Sequence, residues 1–526
     1  MSGWIFLVLS ALLSAQIAVS LALYEPADGK IMFGAWVDSE DPKATVKLGL
    51  GGDSPSQFNQ RLGQSAAVFH LSQSLPLAIS PFDQTEQTAP LNLVENTKTD
   101  AILFLTVYPN QTATNSWDLI TDRDLQKLAW QLGNITDPRA SSRRVMLRYA
   151  PEFNGNWFSY GQQPTRFIKE WVRLVTAVRT VTKRVAFVWS PNAGNNYPFG
   201  DLLPSAEIQT LDTSGDGHVT FADDPFTPYY PGDAFVDWIG MSVYWKGNPS
   251  TQYPLHDNSE CPSNYWEQIV ENKDQTGNPK YPFYTMFAKG HNKPLVMSEG
   301  GAAFALSQQG VPGSLPIGVG QVSYDMSYWQ SGLSKDTFSK YPKAKMFINF
   351  EYQRNAEDPT PGKANGITRD YRVTQNKDVL AAFQTRLQSL QNYLQWADTF
   401  VPGMDPLVIG GGQSSAPLGT NSTAAAGGGS NPSNGGNSGL TLGGGDSNSD
   451  LTAATSSQSF PVGPVVAGVI GGLVFVGIVA LFLFQCRSRK EAPPAPPSDF
   501  LRTDRPFDSP TFVSMPLAPL PNASHK

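Results

Sequence analysis

Residues 145–189 read VMLRYAPEFNGNWFSYGQQPTRFIKEWVRLVTAVRTVTKRVAFVW and contain the repeating unit of the predicted fold. A short apolar run at 145–149 predicts a buried strand, and a second such run closes the stretch at 185–189. Between them, apolar residues recur at helical spacing from Pro164 onward, and proline is common in the first turn of a helix. A strand, a helix and a second strand in this order predict one unit of a parallel α/β fold.

The same unit recurs along residues 23–404. Eight short apolar runs predict strands at 31–37, 67–71, 101–108, 145–149, 185–189, 238–244, 294–298 and 345–350. Helical spacing between the runs predicts helices, for example at 122–135 and 377–396. Eight units in a segment of this size predict an α/β protein with a closed (β/α)8 TIM barrel, whose active site lies at the C-terminal ends of the strands.

The segments that flank the barrel are expected to have no globular fold. Residues 1–22 contain an apolar run followed by small residues, which predicts a secretory signal peptide. The run is shorter than the roughly 20 residues that a membrane helix needs. Residues 405–461 are rich in Gly, Ser and Asn and bury too little apolar surface to fold, so we expect a disordered linker or stalk.

A single transmembrane helix is predicted at 462–485, where no charged side chain occurs. Basic residues follow at 487–490 and place the polar, proline-rich segment 486–526 in the cytoplasm as a disordered tail. The chain is thus expected to be a single-pass type I protein of the cell membrane, with the barrel outside the cell. Gly468 and Gly472 have the spacing of a helix dimer, although glycine is common in membrane helices generally.

The charge and cysteine content narrow the function classes. A formal net charge of −7, with 38 Lys and Arg among 526 residues, argues against a nucleic-acid partner. Cys261 and Cys486 lie on opposite sides of the predicted membrane helix, so no disulfide is expected in the barrel. Asn110, Asn134 and Asn421 begin acceptor triplets for N-glycosylation on the exported side, which would make the chain a glycoprotein.

Two glutamates follow strands that face each other across a barrel mouth. Glu152 comes three residues after the fourth predicted strand, and Glu299 directly follows the seventh. A retaining glycosidase needs two such opposed carboxyl groups, one protonated and one ionised, and uses no cofactor. Arg148 on the fourth strand could pair with Glu299, although a structural ion pair is the alternative. Glu351, after the eighth strand, is the rival carboxylate.

Three segments resemble glycoside hydrolase family 26. The segment LRYAPEFNGNWFSYG at 147–161 resembles the acid/base segment of the family, and PLVMSEGG at 294–301 resembles its nucleophile strand. The segment DWIGMSVYW at 237–245 resembles its sixth strand. The three motifs occur in the order of the family and on the matching predicted strands.

The resemblance implies roles for single residues. Glu152 would be the acid/base, Glu299 the nucleophile and Tyr244 the residue that positions the nucleophile. The implied substrate is a β-linked polysaccharide, β-1,4-mannan in the first place. One position departs from the family, because Pro151 stands where family members usually place a histidine that can bind substrate. Proline has no side-chain group that donates or accepts a hydrogen bond.

Side chains near the strand ends predict a sugar-binding cleft. Aromatic faces can stack on pyranose rings, and polar groups can bond to sugar hydroxyls. The predicted substrate-binding residues are Arg148, Asn154, Trp157, Trp189, Tyr244, Trp245 and Tyr352. His70 and Asp38 also lie at strand ends, where substrate contact and ordinary hydrogen bonding are both open.

The segment DTSGDGHVTFAD at 212–223 has the spacing of a calcium-binding loop. Oxygen-bearing residues recur at alternate positions around a glycine that allows a sharp turn, as in EF-hand loops. The predicted metal residues are Asp212, Ser214, Asp216, His218 and Asp223. A calcium ion here would be structural, and the alternative is an acidic turn without metal.

Taken together, these patterns predict a retaining glycoside hydrolase that acts on polysaccharide at the cell surface. Two alternatives stay open at this point. The first is a carbohydrate-binding or wall-sensing receptor on a hydrolase barrel, which Pro151 and the predicted stalk and tail favour. The second is a β-glucanase with the same mechanism and different cleft contacts.

Overall fold

Eight parallel strands close into a barrel in the computed structural model, which describes residues 21–39, 53–77, 84–110, 115–199, 205–248, 257–273, 277, 279–308, 318–357 and 366–401. The barrel strands are β1 (Ile31–Val37), β2 (Val68–Leu75), β3 (Ile102–Pro109), β4 (Val145–Tyr149), β5 (Val185–Trp189), β6 (Trp238–Trp245), β7 (Leu295–Ala302) and β9 (Ala344–Glu351). Each strand pairs in parallel with the next, and β9 pairs with β1 to close the barrel. The predicted (β/α)8 barrel is confirmed.

Helices connect the strands and cover the barrel. They are α1 (Pro55–Leu62), α2 (Gln84–Glu95), α3 (Asp122–Thr136), α4 (Pro164–Val181), α5 (Ile208–Leu211), α6 (Tyr265–Val270), α7 (Gln321–Gly332), α8 (Lys335–Lys340) and α9 (Lys377–Ser389), with a π-helical stretch at Tyr284–Lys289. Thr121 and Asp124 form a capping box that starts α3, and Pro164 occupies the first turn of α4 as predicted. The apolar faces of both helices pack on the barrel.

The last helix is shorter than predicted. The apolar spacing predicts helix through 396, but α9 ends at Ser389 and residues Leu394–Gln395 form a short strand, β12. This strand pairs in parallel with β1, with Leu394 opposite Ile31. The apolar residues after α9 are therefore buried against a barrel strand and not on a helix face, and the prediction is wrong there.

A small antiparallel sheet, which the sequence analysis did not predict, extends the barrel beside its mouth. It consists of β8 (Phe304–Gln308), β10 (Gln353–Glu357) and β11 (Ile367–Asp370), with β11 in the centre. One residue separates β7 from β8, and one residue separates β9 from β10. Two neighbouring barrel strands thus continue past the C-terminal end of the barrel and form one wall beside the site.

Several predicted segments lie outside the described residues. These are most of the signal peptide at 1–22 and all of the linker at 405–461, the membrane helix at 462–485 and the tail at 486–526. Within the described ranges, no helix combines the length and apolar character needed to cross a membrane. Cys261 is buried there as a free thiol.

Gly34 determines how closely β1 approaches β2, which suggests a test of barrel closure. A Cβ at this position would lie 1.9 Å from the Val68 carbonyl oxygen, a clash that only a backbone shift can relieve. We expect Gly34→Ala to lower the free energy of unfolding by at least about 2 kcal/mol through overpacking, as measured by chemical denaturation. Gly320→Ala is the matched control, because a Cβ there meets nothing within 4 Å. Equal stability of the two variants would contradict the prediction.

Candidate active site

Glu152 lies in a strained turn directly after β4. Ala150 and Glu152 have φ values of 44° and 54°, a region that residues other than glycine rarely adopt. Such strain costs about 1–3 kcal/mol per residue and persists only where the surroundings enforce it. The Glu152 N–H donates to the Ser190 carbonyl at 2.9 Å, and the Tyr160 hydroxyl donates to the Pro151 carbonyl at 2.8 Å. These bonds fix the direction of the Glu152 side chain.

Trp157 contacts the carboxyl group of Glu152 directly. Its indole N–H donates to Glu152 Oε2 at 2.9 Å. The indole ring lies over Gly155, where a Cβ would come within 2.1 Å of the ring. The glycine two residues before Trp157 is therefore needed for the indole to reach the acid.

The Glu152 carboxyl group is protonated at neutral pH. The residue is only 3% exposed, and this burial raises its pKa to about 8. The negative charge of Glu299 adds to the rise in pKa, and the positive charge of Arg148 opposes it. A protonated carboxyl group in this position can act as a general acid.

A β-bulge in β7 brings two consecutive side chains into the same site. In a regular strand, Ser298 and Glu299 would point to opposite faces of the sheet. Met297 pairs with Met241 of β6, whereas Glu299 pairs with Ser242, so β7 has one extra residue at Ser298. Bulges of this kind redirect side chains and are frequent beside active sites.

Glu299 is held by a hydroxyl group and a buried cation. The Ser242 hydroxyl donates to Glu299 Oε1 at 2.9 Å, and Arg148 Nη1 lies 3.2 Å from Glu299 Oε2. The Arg148 side chain is fully buried, and that of Glu299 is 7% exposed. Two charges so far removed from water must compensate each other, so Glu299 is the ionised member of the pair.

Arg148 also binds two serines that the sequence analysis did not identify. Its Nε donates to Ser190 Oγ at 3.0 Å, and its Nη2 donates to Ser242 Oγ at 2.9 Å. Ser190 and Ser298 share a further hydrogen bond of 2.8 Å. Ser190 directly follows β5 and Ser298 is the last residue of the predicted strand at 294–298, and these positions were the signal that could have revealed them, whereas Ser242 lies within β6.

His70 is a neutral support for this network. Its Nε2 lies 2.6 Å from Thr106 Oγ1, and its ring stacks on Trp36 with 3.9 Å between centroids. Burial lowers the pKa of His70 well below its ordinary value, and the nearby charge of Arg148 lowers it further. The histidine therefore carries no charge that could compete with Arg148 for Glu299.

Two tyrosines lie near the carboxyl pair. Burial raises the pKa of both Tyr108 and Tyr244, and the negative charge of Glu299 is the next largest cause for each. Their hydroxyl groups therefore stay protonated and able to donate. Tyr244 was predicted here, whereas Tyr108, at the end of β3, was not. The aromatic residue at a strand end was again the available signal.

An aromatic cluster forms a second part of the mouth. Tyr352 stacks on Phe350 with 4.3 Å between ring centroids, and it meets the edge of Trp36 at 5.7 Å. Tyr244 and Tyr371 both pack against Phe350, at 5.9 Å and 5.2 Å. The predicted aromatic residues Tyr244 and Tyr352 thus come together, with partners that the sequence analysis did not name.

Three predicted substrate-binding residues make packing and hydrogen-bond contacts within the protein. The Asn154 amide is fully buried and forms two hydrogen bonds with the Asn192 backbone. Trp189 is also fully buried, and its indole N–H donates to the Tyr229 carbonyl at 3.0 Å. The Trp245 indole N–H donates to the Ser259 carbonyl, and its ring packs on Tyr265. These contacts support the site from behind, and contact of the three residues with substrate stays a prediction.

Glu351, the alternative candidate carboxylate, binds the loop at Val373 and Thr374 to the end of β9 through hydrogen bonds. It accepts hydrogen bonds from Asn349 Nδ2 at 2.6 Å, from the backbone N–H groups of Val373 and Thr374 at 3.0 Å, and from the Thr374 hydroxyl. Burial raises its pKa to about 7, and these hydrogen bonds oppose the rise. With its oxygens engaged and the residue fully buried, Glu351 is a structural group.

The segment predicted to bind calcium forms a compact turn between β5 and β6. Asp212 accepts backbone hydrogen bonds from residues 215, 216 and 217, and Asp223 accepts them from Ser214 and Thr220. Asp216 accepts from the His218 N–H at 2.9 Å. In the part of the chain that the structure describes, no group of three or more His, Cys, Asp or Glu side chains is arranged to hold a metal ion. Calcium binding by this loop stays a prediction.

No protein-family model matches the sequence, and the search of curated proteins gives no match. Among solved structures, a GH26 β-mannanase from Bacteroides ovatus is 15% identical, with 71% of this chain and 92% of that chain covered at a TM-score of 0.41. The GH26 domain of an endo-β-mannanase/endo-β-glucanase from Prevotella bryantii is 14% identical, with 61% of this chain and 84% of that chain covered at a TM-score of 0.32. Cel5A of Thermotoga maritima, solved with cellobiose, is 8% identical, with 68% of this chain and 98% of that chain covered at a TM-score of 0.40. Likenesses of this size assign no function to the chain.

The raised pKa of Glu152 predicts a pH-dependent stability. A carboxyl group with a folded pKa of about 8 and an ordinary pKa of 4.5 contributes stability below pH 4.5 and loses it as the pH rises through 8. Glu152→Gln cannot ionise, so its melting temperature should rise relative to that of the unaltered chain between about pH 4.5 and pH 8, and the difference should stay constant above that range. Glu351, whose pKa is also raised, is present in both chains, so its ionisation affects both melting temperatures equally and cancels in their difference. Parallel melting curves across this pH range would contradict the assignment.

The calcium loop can be tested by melting experiments with and without the metal. Asp212→Ala removes the acceptor of three backbone N–H groups and should lower the melting temperature even in the presence of chelator. If the loop also binds calcium as its spacing predicts, adding calcium should raise the melting temperature of the unaltered chain and leave that of Asp212→Ala unchanged. Magnesium at the same concentration is the control ion. An identical response of both chains to calcium would end the prediction.

Proposed function

We propose that the chain is a retaining glycoside hydrolase that cleaves β-linked polysaccharide. The observation that carries this proposal is the pair of carboxyl groups at the ends of β4 and β7, in one buried site but in opposite protonation states. Glu152 has a pKa raised to about 8, whereas Glu299 is paired with Arg148 at 3.2 Å. One acid and one carboxylate across a barrel mouth are the two groups that this reaction requires.

In the first step, Glu152 protonates the oxygen of the leaving sugar while Glu299 attacks the anomeric carbon. The glycosidic bond breaks and an ester bond forms between Glu299 and the sugar. Ser242 and Arg148, which hold the Glu299 oxygens, orient the attacking group. Ester formation neutralises Glu299 and so removes the negative charge that helps to keep Glu152 protonated, and the pKa of Glu152 falls after this step.

In the second step, the now ionised Glu152 accepts a proton from water, and the water oxygen attacks the anomeric carbon. The ester bond to Glu299 breaks and the sugar leaves with its original configuration. Trp157, whose indole N–H donates to Glu152 Oε2 at 2.9 Å, stabilises the ionised form that this step needs. The Trp157 indole can thus donate to Glu152 in both protonation states of the carboxyl group.

For the substrate, we propose β-1,4-mannan, with a β-glucan as the alternative. The support is the resemblance of the three motif segments to glycoside hydrolase family 26, together with the aromatic cluster around Tyr244 and Tyr352. Pro151 limits this support because it supplies no side-chain hydrogen bond where the family usually has a histidine. We further propose action at the cell surface, based on the sequence of the segments at 1–22 and 462–485.

Pro151 also favours a second candidate function, that of a carbohydrate-binding receptor. In such a protein the barrel would bind polysaccharide without turnover, and the segment at 486–526 would act as an interaction tail. The intact arrangement of Glu152, Glu299 and Arg148 favours the enzyme, because binding alone does not require two carboxyl groups of opposite protonation state.

The proposal predicts a loss of activity that is specific to the two glutamates. With mannan and β-glucan panels, we expect new reducing ends from the unaltered chain and a loss of at least about 1,000-fold in kcat for Glu152→Gln and Glu299→Gln. Glu260→Gln, a matched change on the surface, should retain activity. The melting temperature of each variant shows that it is folded.

The outcomes distinguish the two candidate functions. Oligosaccharide binding by the unaltered chain, without hydrolysis on any panel, would favour the receptor and contradict the enzyme. Activity that survives Glu299→Gln would contradict the nucleophile. A product with inverted configuration in an NMR time course would contradict the retaining mechanism even if both glutamates are essential.

A further inference from the structure

A groove of about 660 Å³ lies on the barrel face opposite to the carboxyl pair. It is formed by the C-terminal ends of α3 and α4, which return the chain to the N-terminal ends of the strands. Its lining includes Lys127, Trp130, Asn134 and Val181. The groove therefore plays no part in the proposed chemistry.

Two apolar side chains in this groove are exposed to solvent. Trp130 is 51% exposed and Val181 is 43% exposed. Leaving part of a tryptophan ring in water is unfavourable, and the two exposed apolar side chains line the same groove. Asn134, which is also exposed, lies one helical turn after Trp130, so the two side chains are neighbours on the same face of α3.

We propose that Asn134 carries an N-linked glycan whose first sugar packs on the ring of Trp130. Asn134, Ile135 and Thr136 form an acceptor triplet, and this triplet is the observation that identifies the occupant of the groove. A sugar ring offers an apolar face to the indole and hydroxyl groups to the flanking polar side chains, such as Lys127. Covalent attachment beside the ring keeps the sugar at a high effective concentration there.

The modification is a transfer from a lipid-linked oligosaccharide by the secretory machinery, so the proposal depends on export of the chain. Asn134 Nδ2 forms a bond to the anomeric carbon of the first sugar, the bond from that carbon to the lipid pyrophosphate breaks, and the amide loses one proton. In the folded chain the Thr136 hydroxyl is buried and donates to the Leu132 carbonyl at 2.8 Å. Attachment therefore takes place before α3 folds.

The test uses the full chain produced in cells that add N-glycans. Mass spectrometry should find hexosamine and hexose on the peptide that contains Asn134. We expect Asn134→Gln to lower the melting temperature by on the order of 1–3 °C in the unaltered background and to have no effect in a Trp130→Ala background. Phe221→Ala, which removes an aromatic ring that is 77% exposed elsewhere, is the matched background and should leave the effect of Asn134→Gln intact.

Three outcomes would overturn the proposal. One is an unmodified Asn134 in the exported chain or a chain that is not exported. Another is a change in melting temperature on Asn134→Gln that is the same in the unaltered background and in the Trp130→Ala background. The third is Trp130-dependent binding of free mannan oligosaccharides by the glycosylated chain, because the ring would then be uncovered and the groove would serve a polysaccharide.

Discussion

The buried guanidinium of Arg148 is the constraint on which the architecture of the site depends. A cation that is fully removed from water is tolerated only when its charge and its donors are matched, because an unpaired charge costs several kcal/mol. The matching groups are Glu299, Ser190 and Ser242, and they come from three successive parts of the barrel. The strands from β4 to β7 must therefore close in one register, and the bulge in β7 is part of that register.

The same cation separates the roles of the two glutamates. Arg148 contacts Glu299 at 3.2 Å, whereas its effect on the pKa of Glu152 is smaller than those of burial and of the Glu299 charge. The glutamate that lies against the cation keeps its charge, and the one that faces the resulting carboxylate keeps its proton. The difference in protonation thus follows from the position of one guanidinium, and two glutamates of the same type acquire different chemistry.

The sequence was informative where local patterns determine the structure. Short apolar runs located all eight barrel strands, and the position of Glu152 and Glu299 after strands four and seven located the site. The antiparallel sheet escaped prediction because β8, β10 and β11 are each only four or five residues long, too short to show a strand pattern, and are held by pairing with one another. The inward direction of Ser298 depends on a bulge, and the outward direction of Trp189 depends on strand register. Neither side-chain direction can be read from the distance of the residue to a strand end, because a shift of one residue moves a side chain to the opposite face of the sheet.

The turn at Pro151 shows how geometry limits the inference from a motif. Backbone contacts hold this turn, since the Glu152 N–H donates to Ser190 and the Pro151 carbonyl accepts from Tyr160. None of these contacts requires a side-chain function at position 151, so the acid keeps its strained conformation and raised pKa with proline there. Proline differs from most residues at this position in that its side chain offers neither a donor nor an acceptor. In the proposed hydrolase, the carboxyl pair and the choice of sugar would therefore be separable properties, and recognition of the sugar would depend more on groups such as Tyr108, Trp157 and Tyr244.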